Sequence, residues 1–175
     1  KVDVLLGPGM NIHRYPLNGR NFEYFSEDPL LTGIMASSNV KGLQKAGNTG
    51  SLKHFCCNNQ ETGRNTIDCT VSKRALREIY LKGYEIAVKK GANVIMTTYG
   101  SVNGMWTAGN FDLDTLILRE EWGFSGIVIT DWWSHINSEG EGPSLTNFAQ
   151  MARAQNDIYM TCQDGAIPAD GENTE

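Results

Sequence analysis

The sequence predicts an α/β fold: part of a (β/α)8, TIM-like barrel, containing that barrel's later strands and helices only. Three observations carry this. Short apolar runs of strand length alternate with segments of helical period. The runs are apolar on consecutive positions, as strands buried on both faces are. The first run leads into Gly7-Pro8-Gly9 and a long polar loop instead of a helix, so the phosphate-binding glycine turn of a doubly wound sheet does not form. A complete barrel takes about 250 residues. The chain has 175, and the barrel's first strands are expected to precede Lys1.

Five runs are strand candidates: residues 2–6, 51–57, 92–98, 126–130 and 157–161, each close to the usual length of about 5–6 residues. The first helix opens at Asp28-Pro29, an N-cap acid followed by proline at the first helical position. Ile34, Met35, Ser38 and Leu43 follow, and Gly47 closes it. The second opens at Ser72. Its Leu76, Ile79, Tyr80, Tyr84, Ala87 and Val88 recur at three-to-four spacing and predict one apolar face. Lys89 and Lys90 suit its last turn, and Gly91 suits its C-cap. A third helix is predicted over 114–122, ended by Gly123, and a fourth over 144–155. Residues 1–164 read as barrel, and 165–175 as a polar tail or the start of a linker.

Composition narrows the function. The chain is 40% hydrophobic and 20% charged, with a formal net charge of -5. An acidic chain without a basic stripe argues against a nucleic-acid partner. No apolar run approaches the roughly 18 residues of a membrane span. The four cysteines, Cys56, Cys57, Cys69 and Cys162, form neither a CxxC pair nor a disulfide-rich framework. Zinc is therefore not expected, and Cys56 and Cys57 read as small buried apolar residues. With no N-x-S/T sequon either, a cytoplasmic setting is favoured over secretion.

Barrel chemistry sits at the C-terminal ends of the strands. Past the first run come Asn11, His13 and Arg14, then Arg20, Glu23 and Tyr24. The second run carries Lys53-His54 and leads to Asn58-Asn59-Gln60-Glu61 and Arg64. The third reaches Tyr99 and Asn103, the fourth Asp131-Trp132-Trp133, and the fifth Gln163-Asp164. Sugars need this mix: charged and amide partners for hydroxyls, aromatic platforms for apolar ring faces. A strand-end Asp is also a candidate nucleophile for glycosyl transfer. Plainer readings exist for each residue. Asp131 could cap a turn. Lys53 and His54 could belong to a structural ion pair, since a buried lysine is costly unless paired. Arg20 could pair with Glu23 or Glu27 at the surface. Trp132 and Trp133 could be core, and His13 reads as loop packing.

Taken in order, the motifs resemble glycoside hydrolase family 3, in its β-glucosidase-type members. They are Leu6-Gly-Pro-Gly-Met-Asn-Ile-His13, Gly19-Arg-Asn-Phe-Glu-Tyr-Phe-Ser-Glu-Asp-Pro29, and Lys53-His-Phe with Asn58-Asn-Gln-Glu61 and Arg64. Then follow Met96-Thr-Thr-Tyr99 with Val102-Asn-Gly104, Leu118-Arg-Glu-Glu-Trp-Gly-Phe124, and Thr130-Asp-Trp132. The resemblance implies that Asp131 is the catalytic nucleophile, and that Arg20, Lys53, His54 and Arg64 hold hydroxyls of the sugar in the −1 subsite. It implies that Tyr99 lies near the nucleophile and that Trp132 is the platform beside it. The implied reaction is release of terminal β-D-glucosyl residues from a glucoside or oligosaccharide, with retention, through a covalent glycosyl-enzyme and with no metal or cofactor.

Nearby Arg and Lys charges are expected to keep Asp131 ionised. The resemblance also implies a general acid/base Glu from a second, α/β sandwich domain outside this chain, and a sugar-binding Asp before Lys1. Glu61, Glu121 and Glu139 are candidate acids that match no family acid motif, so none is assigned. Cys56-Cys57 after Phe55 sets the chain apart from the N-acetylglucosaminidase branch, and Trp132 after the nucleophile favours a hexose. The acidic, Gly-rich loop 134–143 is expected over the mouth of the site. A sugar-binding module without catalysis, derived from the same barrel, is the competing reading.

Overall fold

The computed structural model describes residues 2–161; the tail 165–175, with Cys162, Gln163 and Asp164, lies outside the described residues. Along the chain run β1 (Val4–Leu5), α1 (Pro29–Lys45), β2 (Thr49–Phe55), β3 (Asp68–Cys69), α2 (Lys73–Ala75), α3 (Lys82–Lys89), β4 (Val94–Thr97), β5 (Ser101–Val102), β6 (Met105–Trp106), β7 (Ile127–Ile129) and α4 (Phe148–Arg153). Two further segments, Leu76–Tyr80 and Asp112–Glu121, are π-wound.

Strands β1, β2, β4 and β7 form one sheet in that order, with every neighbouring pair parallel. Spatial order equal to chain order is that of a barrel wall, whereas a doubly wound sheet reverses at a switch point. The first four predicted strands are present: β1, β4 and β7 are shorter than their apolar runs, and β2 begins and ends two residues earlier than its run. The fifth is a correction. Residues 157–161 run beside β7 but make a single parallel bridge, Ile129 to Ile158, and no strand. Their backbone is otherwise tied by Asp157 and Ile158 N–H to the Val128 carbonyl and by Met160 N–H to the Thr130 hydroxyl. A small second sheet, β3-β5-β6, was not expected. Its two-residue strands carry no readable period. Asp68 anchors it, accepting from the Ser101 hydroxyl and the Gly104 N–H, both at 2.8 Å.

The helices follow their caps. Asp28 Oδ1 accepts from the Leu31 N–H at 2.6 Å, and Ser72 Oγ from the Ala75 N–H at 3.2 Å. The Ser72 helix is interrupted where Leu81 N–H reaches the Leu76 carbonyl, five residues back. The extra residue in that turn shifts the face, so Ile79, expected inside, is exposed while Leu81 is buried. The third helix begins two residues earlier than predicted, at Asp112, and carries Asp114 into the interior. The fourth is only α4, capped by Asn147 Oδ1 on the Gln150 N–H; Ser144 instead bridges antiparallel to Ile136.

One core lies between sheet and helices, with Leu52, Phe55, Ile95 and Val128 of the strands against Val40, Tyr84 and Leu118. Phe55 meets Tyr84 edge-on at 5.2 Å and Trp122 at 6.1 Å between ring centroids. Helices α1 and α3 approach closely because Gly33 has no side chain. A Cβ there would lie 2.9 Å from Ile86 Cβ and 3.0 Å from the Gly83 carbonyl. Apolar side chains are exposed at both edges of the sheet, Val2 and Leu5 at one and Ile127 and Ile158 at the other, and along α1 at Leu30, Leu31, Ile34 and Met35. Among the described residues no helix is long and apolar enough to cross a membrane.

Candidate active site

The C-terminal ends of the strands supply the site. Lys53 and His54 come from the end of β2, Tyr99 follows β4 by two residues, and Asp131 follows β7 by two. Consecutive residues of a regular strand face opposite ways. Lys53 and His54 nevertheless line the same cavity, and the peptide bond joining them is cis. Arg20 arrives from the loop after β1, and Arg64 from the loop after β2. The cavity, of about 270 Å³, is lined by Arg20, Lys53, His54, Arg64, Tyr99, Asp131 and Trp132 together with Leu6 and Met96. All seven residues singled out from the sequence thus meet at one place.

Asp131 is buried. Its Oδ1 accepts the Trp132 N–H at 2.9 Å, while Oδ2 has no hydrogen-bond partner and faces His54 Nε2 at 3.5 Å. Burial pushes its carboxyl above the ordinary value; the Trp132 N–H, Arg20, Arg64 and the Tyr99 hydroxyl pull the other way without fully offsetting it. The expected help from neighbouring cations is therefore present and outweighed by desolvation. Tyr99 is pushed up to about 12 by burial and by the Asp131 charge.

His54 is held by a set of residues the sequence reading left unassigned. Both amide functions of Asn11 clamp its backbone, the oxygen taking the His54 N–H at 2.8 Å and the nitrogen giving to the carbonyl at 2.9 Å. Tyr84 donates to the same carbonyl at 2.8 Å. Asn58 Nδ2, which can only donate, lies 2.9 Å from the Tyr24 hydroxyl and 3.4 Å from His54 Nδ1, and the Tyr24 hydroxyl stands 3.3 Å from the same ring nitrogen, so Nδ1 is placed as an acceptor. Burial, and then the charges of Arg20, Lys53 and Arg64, hold His54 well below its ordinary value. A neutral ring accepting at Nδ1 carries its proton on Nε2, beside Asp131.

The cations are paired as well as placed. Arg20 Nε meets Glu23 Oε1 at 2.5 Å, and Lys53 Nζ meets Glu23 Oε2 at 3.2 Å. Arg64 Nη1 meets Glu61 Oε2 at 2.8 Å, and its guanidinium stacks 4.7 Å from the Tyr99 ring centroid. Structural pairing and a place in the cavity, set out from sequence as alternatives, therefore coexist in Arg20 and Lys53. Trp132 and Trp133 are both partly exposed, their ring centroids 6.0 Å apart, and neither is core. Of the three glutamates considered as acids, Glu61 is engaged by Arg64 and Asn58, and Glu121 pairs with Arg77. Glu139 stands in the 134–143 loop, away from the cavity lining. Among the described residues Asp131 is the one carboxylate that lines the cavity, and no group of three or more His, Cys, Asp or Glu converges as a metal-ion set.

The profile of the glycosyl hydrolase family 3 N terminal domain matches residues 1–170. The chain belongs to glycosyl hydrolase family 3. A β-glucosidase of Ruminococcus albus is 65% identical over 171 residues, which cover 97% of this chain and 18% of that protein. An exo-α-(1→6)-L-arabinopyranosidase of Bifidobacterium longum is 54% identical over 169 residues, 95% of this chain and 22% of the relative. The crystal structure of a β-glucosidase from Paenibacillus barengoltzii superposes with a TM-score of 0.90 at 60% identity, covering 91% of this chain and 18% of that one. The family 3 chain described here therefore spans about a fifth of the length of these relatives, and its parallel sheet and helices form part of a TIM-barrel-like α/β fold.

Proposed function

We propose that this chain is part of the catalytic barrel of a retaining glycosidase that releases terminal β-D-glucosyl residues, with Asp131 as nucleophile. One observation carries the reading: a buried carboxylate with one oxygen free of hydrogen bonds stands in a cavity lined also by three cations, a neutral His and two aromatics. In the proposed first step an Asp131 oxygen forms a bond to the anomeric carbon as the glycosidic C–O bond breaks. The leaving oxygen takes a proton from an acid that we place outside this chain, since the cavity lining offers no second carboxylate. Water then gives a proton to the conjugate base of that acid as its oxygen bonds to the anomeric carbon and the bond to Asp131 breaks, which frees the sugar. Arg20, Lys53, His54 and Arg64 hold hydroxyls through bonds that strengthen as charge develops, and Trp132 covers an apolar ring face. The exposed apolar residues at the two edges of the sheet support its being one part of a closed barrel.

The test is covalent trapping with 2,4-dinitrophenyl 2-deoxy-2-fluoro-β-D-glucoside, whose leaving group departs without acid help. Mass spectrometry should find the label on the peptide containing Asp131. The lone carboxylate in the cavity favours a second reading, a sugar-binding module without catalysis. Saturable glucose binding with no label, in this chain and in the full-length protein alike, would establish that reading instead.

A further inference from the structure

We propose that Glu23 is a positioning residue, which decides the edges that Arg20 and Lys53 present to the hydroxyls of a bound sugar. The proposal rests on the reading of this cavity as a glycoside site and goes beyond it. Arg20 and Lys53 are long side chains of the same charge, lining one small space with Arg64. Left to themselves they would repel each other and sample many rotamers, at a cost to any bound geometry. Glu23 lies between them, with one carboxylate oxygen on each.

The atoms used decide what remains. Glu23 occupies Arg20 Nε–H, so the four N–H donors of the guanidinium's two terminal nitrogens are left for the cavity. It occupies one of the three Lys53 donors and leaves two. Glu23 stays an anion here: burial alone would raise its carboxyl, but Arg20 and Lys53 together bring it below its ordinary value. Room for it is built into the backbone. A Cβ on Gly9 would stand 3.0 Å from Glu23 Oε2 and 2.9 Å from the Tyr24 ring, the ring that holds His54. Glu61 does a parallel task for Arg64, and lies 4.0 Å from Arg20 Nε.

The experiment compares wild type, Glu23→Gln and Glu23→Asp in the full-length protein, on aryl β-glucosides each lacking one sugar hydroxyl. Glu23→Gln should lower kcat/KM on the parent glucoside about 100-fold, the scale of a small misplacement of a binding group. The deciding readout is the hydroxyl pattern. For the hydroxyl that Arg20 and Lys53 hold, the penalty for its deletion should shrink about tenfold in Glu23→Gln and partly return in Glu23→Asp. For the other hydroxyls it should not change.

A uniform loss on every substrate, with the wild-type pattern of penalties, would mean a merely structural residue and would overturn the proposal. If Glu23→Gln does not fold, the same pattern in Glu23→Asp decides. Should wild type show no turnover, calorimetric glucose binding separates the two claims. Affinity weakened about tenfold or more by Glu23→Gln would keep the positioning role while the catalytic reading fails. Unchanged affinity, or no glucose binding by wild type, would overturn both.

Discussion

Replacing Asp114 should stabilise the protein. Its side chain is fully buried in the π-wound helix Asp112–Glu121, and neither carboxyl oxygen has a hydrogen-bond partner. Burial is the main reason its carboxyl is held well above the ordinary value; Arg119 opposes this and Asp157 adds to it. A buried polar group without partners costs about 1–3 kcal/mol. Asp114→Leu removes that cost, and for a chain of this size the gain corresponds to a rise in Tm of roughly 2–12 °C. The pH dependence has a definite sign. Asp114 keeps its proton in the folded state and releases it near pH 3.9 when unfolded. Its contribution is therefore favourable below that pH and is lost as pH rises towards the folded value. Asp114→Asn keeps the shape and removes the titration. Urea unfolding of wild type and both variants from pH 4 to pH 8 checks this. Wild type should lose ground to Asp114→Asn as pH increases, and Asp114→Leu should be the most stable at pH 7.5. A constant difference between wild type and Asn, or a destabilised Leu variant, would refute the reasoning.

Three further outcomes are expected. Tyr99→Phe removes a hydroxyl that pulls the Asp131 carboxyl down, so more of Asp131 is protonated in acid. At low pH kcat/KM on a dinitrophenyl glucoside should therefore fall, by up to about tenfold, the equivalent of one pK unit. That gap should narrow as pH rises, and parallel profiles would reject the assignment. Asp131→Asn should reduce turnover about 1000-fold or more while glucose affinity, read by calorimetry, stays near wild type; retained turnover would remove Asp131 from the mechanism. Gly9→Ala should displace Glu23 and the Tyr24 ring, cost about 1–3 kcal/mol in urea unfolding, and reproduce the hydroxyl pattern of Glu23→Gln.

Periodicity reads the layer of residues that meets the apolar core. That is why β2, β4 and β7 were legible, and why the residues at or just beyond their C-terminal ends, Lys53, His54, Tyr99 and Asp131, could be picked out. It fails where the backbone departs from period. A π turn inserts one residue without any compositional mark, so Ile79 was expected inside and lies outside. Residues 144–147 have helical spacing, but Ser144 pairs with Ile136 across the loop, a contact local pattern does not report. The third helix, expected from Asp114, starts two residues earlier at Asp112, and Asp114 turns inward.

The roles of the residues behind the site were illegible for a different reason. Asn11 reaches His54 across forty-three residues, and Tyr24 and Asn58 converge on its ring from two loops. Polar loop residues face water by default, and nothing in their own spacing says which will turn inward. Glu23 is the sharpest case. Three residues from Arg20, it is indistinguishable in sequence from an exposed ion pair, and its hold on Lys53 needs the loop folded back over β2. What permits that fold is an absence, the missing side chain of Gly9. The run Gly7-Pro8-Gly9 carries a glycine for the approach of a carboxylate and an aromatic ring, not of a phosphate. The physical meaning of that glycine lies in the side chains it admits, and these come from fourteen and fifteen residues further along the chain.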